Sequence, residues 1–234
     1  TTLAASMLNA ISRNEKQGTL EGRLFEVASI YIPESLPLTS YPDERKVLCV
    51  GTFGNNESFF TMKGIANTIA ESTYEPVQKS FLHPYQAVKV LCEGTEIGYF
   101  GKAAYDIQNE LSMRTSAYIM ELDLKELSRW YGKKRTFQPI SKFQEEKRDL
   151  AFVMDKNISC GDVENCIREA NKYVKEIRLF DVYEGGQIPE GKKSMAFTVT
   201  FAPKEEAFDF EKVQKFVEKI CKKLQNEFNI ELRG

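Results

Sequence analysis

The sequence predicts an α+β protein built in two parts. Three features carry that prediction. Residues 147–234 pass through strand and helix patterns in the order β-α-β-β-α-β. Residues 1–133 mix helical periodicity with runs of β-formers and contain no internal repeat. Between them, "YGKKRTFQPI" (131–140) is polar, basic and near-terminated by proline, the composition of a boundary. The domains are therefore set at 1–133 and 140–234, with 134–139 as the linker.

In the first part, Leu3, Met7, Leu8 and Ile11 share one face of a helix over about 2–14. "RLFEVASIYI" (23–32) is a strand, and "SLPLTSYPDER" a loop with two prolines. The continuous apolar run "KVLCVGTF" (46–53) reads as a buried strand. "SFFTMKGIANTIAES" begins a helix. "AVKVLCEGTEIGYFGKA" is a hairpin turning at Glu93-Gly94. "AYDIQNEL" is helical and "SAYIMELDL" is a strand.

The second part is plainer. "KRDLAFVMD" (147–155) is a strand. Ser159 caps the helix that follows, with Asp162 in its first turn and Val163, Cys166, Ile167 and Ala170 on one face. "VKEIRLFDVY" (174–183) and "KKSMAFTVTF" (192–201) are strands joined by the Gly- and Pro-rich loop "EGGQIPEG". Met195, Phe197, Val199 and Phe201 take one side of the third strand; Ser194, Ala196, Thr198 and Thr200 take the other. Val213, Phe216, Val217, Ile220, Cys221, Leu224 and Phe228 mark a long amphipathic helix, and "NIELRG" closes as a short edge strand. This order is the split ferredoxin-like pattern: two helices on one face of a four-stranded antiparallel sheet, the other face bare. Ser194, Thr198 and Thr200 suit that bare face.

Composition excludes several classes. With 42% hydrophobic and 28% charged residues over 234 positions, the chain is an ordinary globular one. No apolar run approaches the ~20 residues of a membrane span, so no membrane partner is expected. A net charge of −2 offers no global field for nucleic acid, and no DNA partner is expected. Five scattered cysteines without a CxxC pair read as reduced thiols in the cytoplasm. The N-terminus lacks the basic segment of a signal peptide and an initiator Met, which reads as a piece of a longer polypeptide.

"GQIPEGKKS" (186–194) nearly spells a phosphate-binding loop, but Lys193 stands where Ser or Thr is required, and a strand follows instead of a helix. It is a strand connection. His83, in "LHPYQ", is the one histidine and cannot build a metal site or a triad alone. No catalytic residue and no metal ligand is assigned.

"KRDLAFVMD", "LFDVYEGGQIPEGKKSMAFTVTF" and "ELRG" together resemble the C-terminal ferredoxin-fold anticodon-binding domain of the bacterial phenylalanyl-tRNA synthetase beta subunit. The resemblance runs from about Pro139 to Gly234. "TTLAASMLNAISRN", "GRLFEVASIY", "SFFTMKGIANTIAE", "HPYQAVKV", "IGYFGKA" and "AYIMELDL" resemble the end of the same subunit's catalytic-like domain, a class II synthetase fold that does no chemistry. The resemblance thus implies a partial class II synthetase-like antiparallel α/β domain followed by a ferredoxin-like βαββαβ domain. It implies an α2β2 heterotetramer in which the alpha subunit carries ATP-dependent aminoacylation. ATP and Mg2+ then belong to the whole enzyme, and no cofactor to this fragment. "RLFE" (23–26) is similar to a class II motif whose Arg holds the ATP phosphate, but the partner motif is missing, so Arg23 and Glu26 are read as structural.

The implied RNA partner is the anticodon stem-loop of phenylalanine tRNA. By the family's motif, Asp181, Tyr183 and Ser194 are its base-reading positions. Tyr183 stacks on an anticodon base, Asp181 accepts from a guanine edge amine, and Ser194 bonds the same base. Lys142, Lys147, Arg148, Lys192 and Lys193 flank these segments and are candidates for phosphate contact, which positions without specifying. From Ile140 onward 17 basic and 18 acidic side chains nearly cancel, so isolated binding is expected to be weak. One conflict is visible: Ile177 and Leu179 share alternation with Asp181 and Tyr183. Either a β-bulge or cover from the first domain resolves it. Two other classes stay open at this point: a small-molecule regulatory module, told apart by the face around Tyr183 and Ser194, and an autonomous enzyme, which a ligand pocket lined by Arg23 and Glu26 would indicate.

Overall fold

The computed structural model describes residues 1–130, 142–203 and 206–232. The expected linker, 134–139, lies outside these. The chain divides into two compact units, Thr1–Arg135 and Thr136–Gly234.

The first unit contains α1 (Ala4–Lys16), β1 (Gly22–Ile32), β2 (Asp43–Phe53), α2 (Phe59–Ile69), β3 (Thr73–Pro76), β4 (Leu82–Cys92), β5 (Thr95–Ala103), α3 (Tyr105–Glu110), β6 (Ala117–Asp123) and α4 (Leu124–Ser128). Its strands form a six-stranded antiparallel sheet in the order β1-β2-β6-β5-β4-β3. Alternation splits the sheet residues between two cores. Met7, Leu8 and Ile11 of α1 pack with Cys49, Phe53, Ala117 and Ile119. Met62 and Ala66 of α2 pack with Val50, Phe100, Met120 and Leu122, which alternate to the opposite face. The β4–β5 connection is the expected Glu93-Gly94 turn; both residues have positive φ, 46° and 81°, as a two-residue primed turn requires. Strand β2 starts three residues before the apolar run, and β3 and α4 carry no periodicity long enough to announce them.

α1 has no side-chain cap of its own at Leu3. Glu121 of β6 supplies one across the fold. Its Oε1 accepts from Leu3 N at 2.5 Å, Ala4 N at 3.1 Å and Thr2 Oγ1 at 2.8 Å. Its Oε2 accepts from the Tyr99 hydroxyl. A buried anion thus meets the positive end of the helix.

The second unit contains β7 (Glu146–Asp155), α5 (Cys160–Ala170), β8 (Val174–Tyr183), β9 (Lys192–Phe201), α6 (Phe210–Phe228) and β10 (Glu231–Leu232). The sheet order is β10-β7-β9-β8, all antiparallel, which is the ferredoxin-like arrangement. Ser159 caps α5, accepting from Asp162 N at 3.1 Å. Val163, Cys166 and Ile167 of α5 and Val213, Val217, Ile220 and Leu224 of α6 bury one face of the sheet against Phe152, Phe197, Val199 and Phe201. The opposite face receives neither helix.

Candidate nucleic-acid interface

The bare face is composed by register. On β9 it presents Lys192, Ser194, Ala196, Thr198 and Thr200, since the alternate residues fill the core. Opposite these on β7 stand Asp155, Val153, Ala151, Asp149 and Lys147. Ala151 and Ala196 pair at the centre, leaving the middle of the face with little side-chain relief. Thr198 Oγ1 donates to Asp149 Oδ1 at 2.6 Å.

Strand β8 resolves the alternation conflict by a bulge. Ile177 pairs with Val199 and Leu179 with Phe197, so both point to the helices. The register then slips between Leu179 and Asp181, leaving Phe180 as the extra residue, 51% exposed. Beyond it Asp181 pairs with Ala196 and Tyr183 with Ser194, on the bare side. One strand therefore feeds the core with its first half and the bare face with its second. Arg178, opposite Thr198, lies on the bare side before the slip.

Asp181, Tyr183 and Ser194 are thus brought together. Tyr183 and Ser194 are directly paired, with Asp181 two residues along on the same side. Tyr183 is 38% exposed, whereas Ser194 is only 4% exposed despite facing no helix. It sits on the central strand between Tyr183 and Val153, whose side chains stand about 5 Å away on either side and shade it.

The basic candidates do not form one group. Lys192 shares the side of Ser194, opposite Asp155, and Lys147 stands exposed opposite Thr200. Lys193 alternates to the other side, opposite Met154. Arg148 likewise alternates away from the bare face. It pairs with Val199 on the helix side, where its guanidinium lies 5.9 Å from the Phe210 ring and 3.1 Å from Glu146. Lys142 is exposed ahead of β7.

The β8–β9 loop is fixed by its own hydrogen bonds. Ile188 N donates to Gly185 O at 2.8 Å, Lys192 N to Pro189 O at 3.0 Å, and Lys156 N to Gly191 O at 3.0 Å. Ile188 is buried, and Gly191, at φ 81°, is the loop position that needs glycine for its backbone. Lys156 Nζ pairs with Glu184 Oε2 at 2.8 Å, and that hydrogen bond holds the Glu184 carboxyl below its ordinary range. Phe180, Arg178 and the Lys156–Glu184 brace were missed in the sequence. The alternation conflict was the available signal for the first.

In the first unit, Arg23 and Glu26 are not brought together. Arg23 Nε donates to the buried Glu57 carboxylate at 2.8 Å, and Glu26 alternates to the other side of β1, exposed. The pair engages Arg23 through Nε, and the Arg23 side chain stays 59% exposed. Among the described residues, no group of three or more His, Cys, Asp or Glu is placed to hold a metal ion. Among them, too, no helix is long and apolar enough to cross a membrane.

Fold and bare face define a ferredoxin-like module with one sheet face free of helices. Residues 141–233 match the family model described as ferredoxin-fold anticodon binding domain, and residues 1–124 match that of the phenylalanyl tRNA synthetase beta chain CLM domain. The chain belongs to the phenylalanyl-tRNA synthetase beta chain family. It is 32% identical over 241 residues to the phenylalanine–tRNA ligase beta subunit of Clostridium tetani, covering 100% of this chain and 30% of that one. To the corresponding subunit of Bacillus licheniformis it is 34% identical over 184 residues, 75% of this chain and 23% of that one. The chain spans about 30% of the length of the curated relatives that match it throughout. Among solved structures, pyrrolysyl-tRNA synthetase from Desulfitobacterium hafniense aligns with 54% of this chain and 47% of its own at 16% identity and a TM-score of 0.44, too slight a likeness to carry an argument.

Proposed function

We propose that this chain serves as the anticodon-reading part of the beta subunit of phenylalanine-tRNA ligase. Its second unit binds the anticodon stem-loop of phenylalanine tRNA. The first unit helps assemble the α2β2 heterotetramer with the alpha subunit, in the cytoplasm. ATP and Mg2+ are used on the alpha subunit, and no step of aminoacylation is assigned to residues of this chain.

The observation that carries the reading is the bulge in β8. It turns Asp181 and Tyr183 away from the helices and sets them beside Ser194. RNA is read in sequence mainly through unstacked bases laid on aromatics, with edges hydrogen-bonded. Tyr183 supplies the stacking surface. Asp181, as a carboxylate, accepts from an exocyclic amine of guanine. Ser194, shaded between its neighbours, reaches the base only after it has seated. Lys147, Lys192 and Arg178 lie on the same side and meet backbone phosphates.

The test is a titration of the chain with the anticodon stem-loop of phenylalanine tRNA at low salt, followed by amide shifts. Shifts should centre on Asp181, Tyr183 and Ser194. Tyr183→Ala should cost about 1–3 kcal/mol, the worth of one stacked base. Changing the first anticodon base should cost a similar amount. If all three cations engage, affinity should fall with salt at a log-log slope of about −2. Shifts indifferent to both Tyr183→Ala and the base change would defeat the reading.

A further inference from the structure

Gly185 has no need of glycine on backbone grounds, because its φ lies outside the left-handed region, unlike that of Gly191 at 81°. Its need is local. A β-carbon at 185 would lie 2.4 Å from Tyr183 Oη, 2.6 Å from Cζ and 3.1 Å from Cε1. The tyrosine ring therefore occupies the space in which any other residue's side chain begins. The neighbouring Gly186 would meet nothing within 4 Å. Gly185 is also held from behind: its carbonyl accepts from Ile188 N at 2.8 Å, Ile188 is buried, and Glu184 is tied to Lys156 at 2.8 Å. Backbone braced on both sides cannot retreat from an added methyl group. The ring, hinged at its own Cβ, is what must move.

We infer that Gly185 is a positioning residue for RNA binding, a bare stretch of loop backbone that fixes the plane of the Tyr183 ring. The inference rests on the reading of the β8–β9 face as an anticodon site and adds a residue that touches no base itself. A ring pre-set against the loop meets an incoming base without first losing rotamer freedom. A β-carbon at 185 tilts the ring, with its hydroxyl, out of that plane while leaving its strand and its pairing with Ser194 intact.

The experiment is a double-mutant cycle on the chain, read by affinity for the phenylalanine anticodon stem-loop. The variants are Gly185→Ala, Gly186→Ala, Tyr183→Ala and Tyr183→Ala/Gly185→Ala. Tyr183→Ala should weaken binding by roughly 5- to 150-fold. Gly185→Ala should weaken it by at least about 5-fold, and Gly186→Ala by less than about 2-fold, the scatter of a neutral surface change. In the Tyr183→Ala background, Gly185→Ala should cost nothing more, because it acts only through the ring. A second readout needs no RNA: the Gly185 Hα should carry an upfield ring-current shift that vanishes in Tyr183→Ala. If Gly185→Ala fails to fold, the double variant should fold, since the obstructing ring is gone.

Wild-type binding by Gly185→Ala beside weakened Tyr183→Ala overturns the inference and leaves anticodon reading standing. So do additive losses, an unshifted Gly185 Hα, or a double variant that also fails to fold. Undiminished binding by Tyr183→Ala overturns both.

Discussion

Removal of the Glu121 carboxylate should unfasten α1 from its sheet. Four donors converge on that side chain: the backbone N–H groups of Leu3 and Ala4, the Thr2 hydroxyl and the Tyr99 hydroxyl. Thr2 and Leu3 are half-buried and recover water when the carboxylate goes. Ala4, at 2% exposure, keeps a second acceptor in Thr2 Oγ1 at 3.1 Å, whereas Tyr99, at 8%, is left with Thr2 Oγ1 at 3.5 Å. One buried donor left poorly matched costs about 1–3 kcal/mol, and the charged bonds lost to the other three donors add about 2 kcal/mol or more, so Glu121→Ala should destabilise the first unit by about 3–5 kcal/mol. Glu121→Gln keeps an acceptor in place but halves its strength, at about 1–2 kcal/mol. Trp130 is the sole tryptophan and packs on the first unit's core, so its fluorescence isolates that unit's unfolding from the second's. With a urea dependence of about 1.5 kcal/mol per molar, the midpoint should fall by about 2–3 M for Ala and about 1 M for Gln. A loss below about 0.5 M for Glu121→Ala, or a Gln variant as poor as the Ala variant, would refute the capping argument.

Deletion of Phe180 should leave the second unit folded, at a cost of about 1 kcal/mol, with Asp181 still opposite Ala196 by cross-strand nuclear Overhauser contacts; inversion of Asp181 or Tyr183 to the helix side would show that the bulge is not what absorbs the extra residue. The Cys49 and Cys166 thiols are pushed up to about 12, by burial first and then by neighbouring carboxylates. Alkylation at pH 8 should therefore reach the part-exposed Cys160 before either, as mass spectrometry of digests can read, and early modification of Cys49 would contradict this. The Glu184 carboxyl, lowered by Lys156, should titrate in 13C spectra below its ordinary range and return toward it in Lys156→Ala. A lowered folded value means that this brace helps the loop above the ordinary carboxylate range and is lost as pH falls through the lowered one. A Glu184 carboxyl that does not respond to Lys156→Ala would contradict the pairing.

What could be read in the sequence follows from where periodicity is complete. In the second unit β7, α5, β8, β9 and α6 were legible, because each is long enough to show its period. Strands 174–183 and 192–201 coincide with the expected ones. β3, with four residues, and α4, with five, are too short to show any period, and they take their form from the neighbours they pair with or cap. Glu121 was invisible as a cap. The usual signal is a polar residue just before the helix, whereas here the acceptor comes from a strand 117 residues away from Ala4.

The candidate site divides along the same line. Asp181, Tyr183 and Ser194 came from the family's motif, and counting residues back from them exposed the conflict at Ile177 and Leu179 that the bulge resolves. Alternation is valid only within an unbroken register, and the slip after Leu179 ends one phase and begins another. Arg148 and Lys193 were grouped with the site because a positive charge near a motif looks like a phosphate contact in one dimension. Each lies one step out of phase with a bare-face residue, Lys147 and Lys192 respectively, and a single step on a strand is a change of face. The cations on the bare side are therefore Lys147, Lys192 and Arg178. Arg178 entered the set only once the bulge had fixed which half of β8 faces which way. The same bulge explains how one ten-residue strand serves two demands. Ile177 and Leu179 must be apolar and inward to hold the helices. Asp181 and Tyr183 must be outward if they are to meet a base, as proposed. An uninterrupted strand with these side chains at these positions would have to abandon one set or the other.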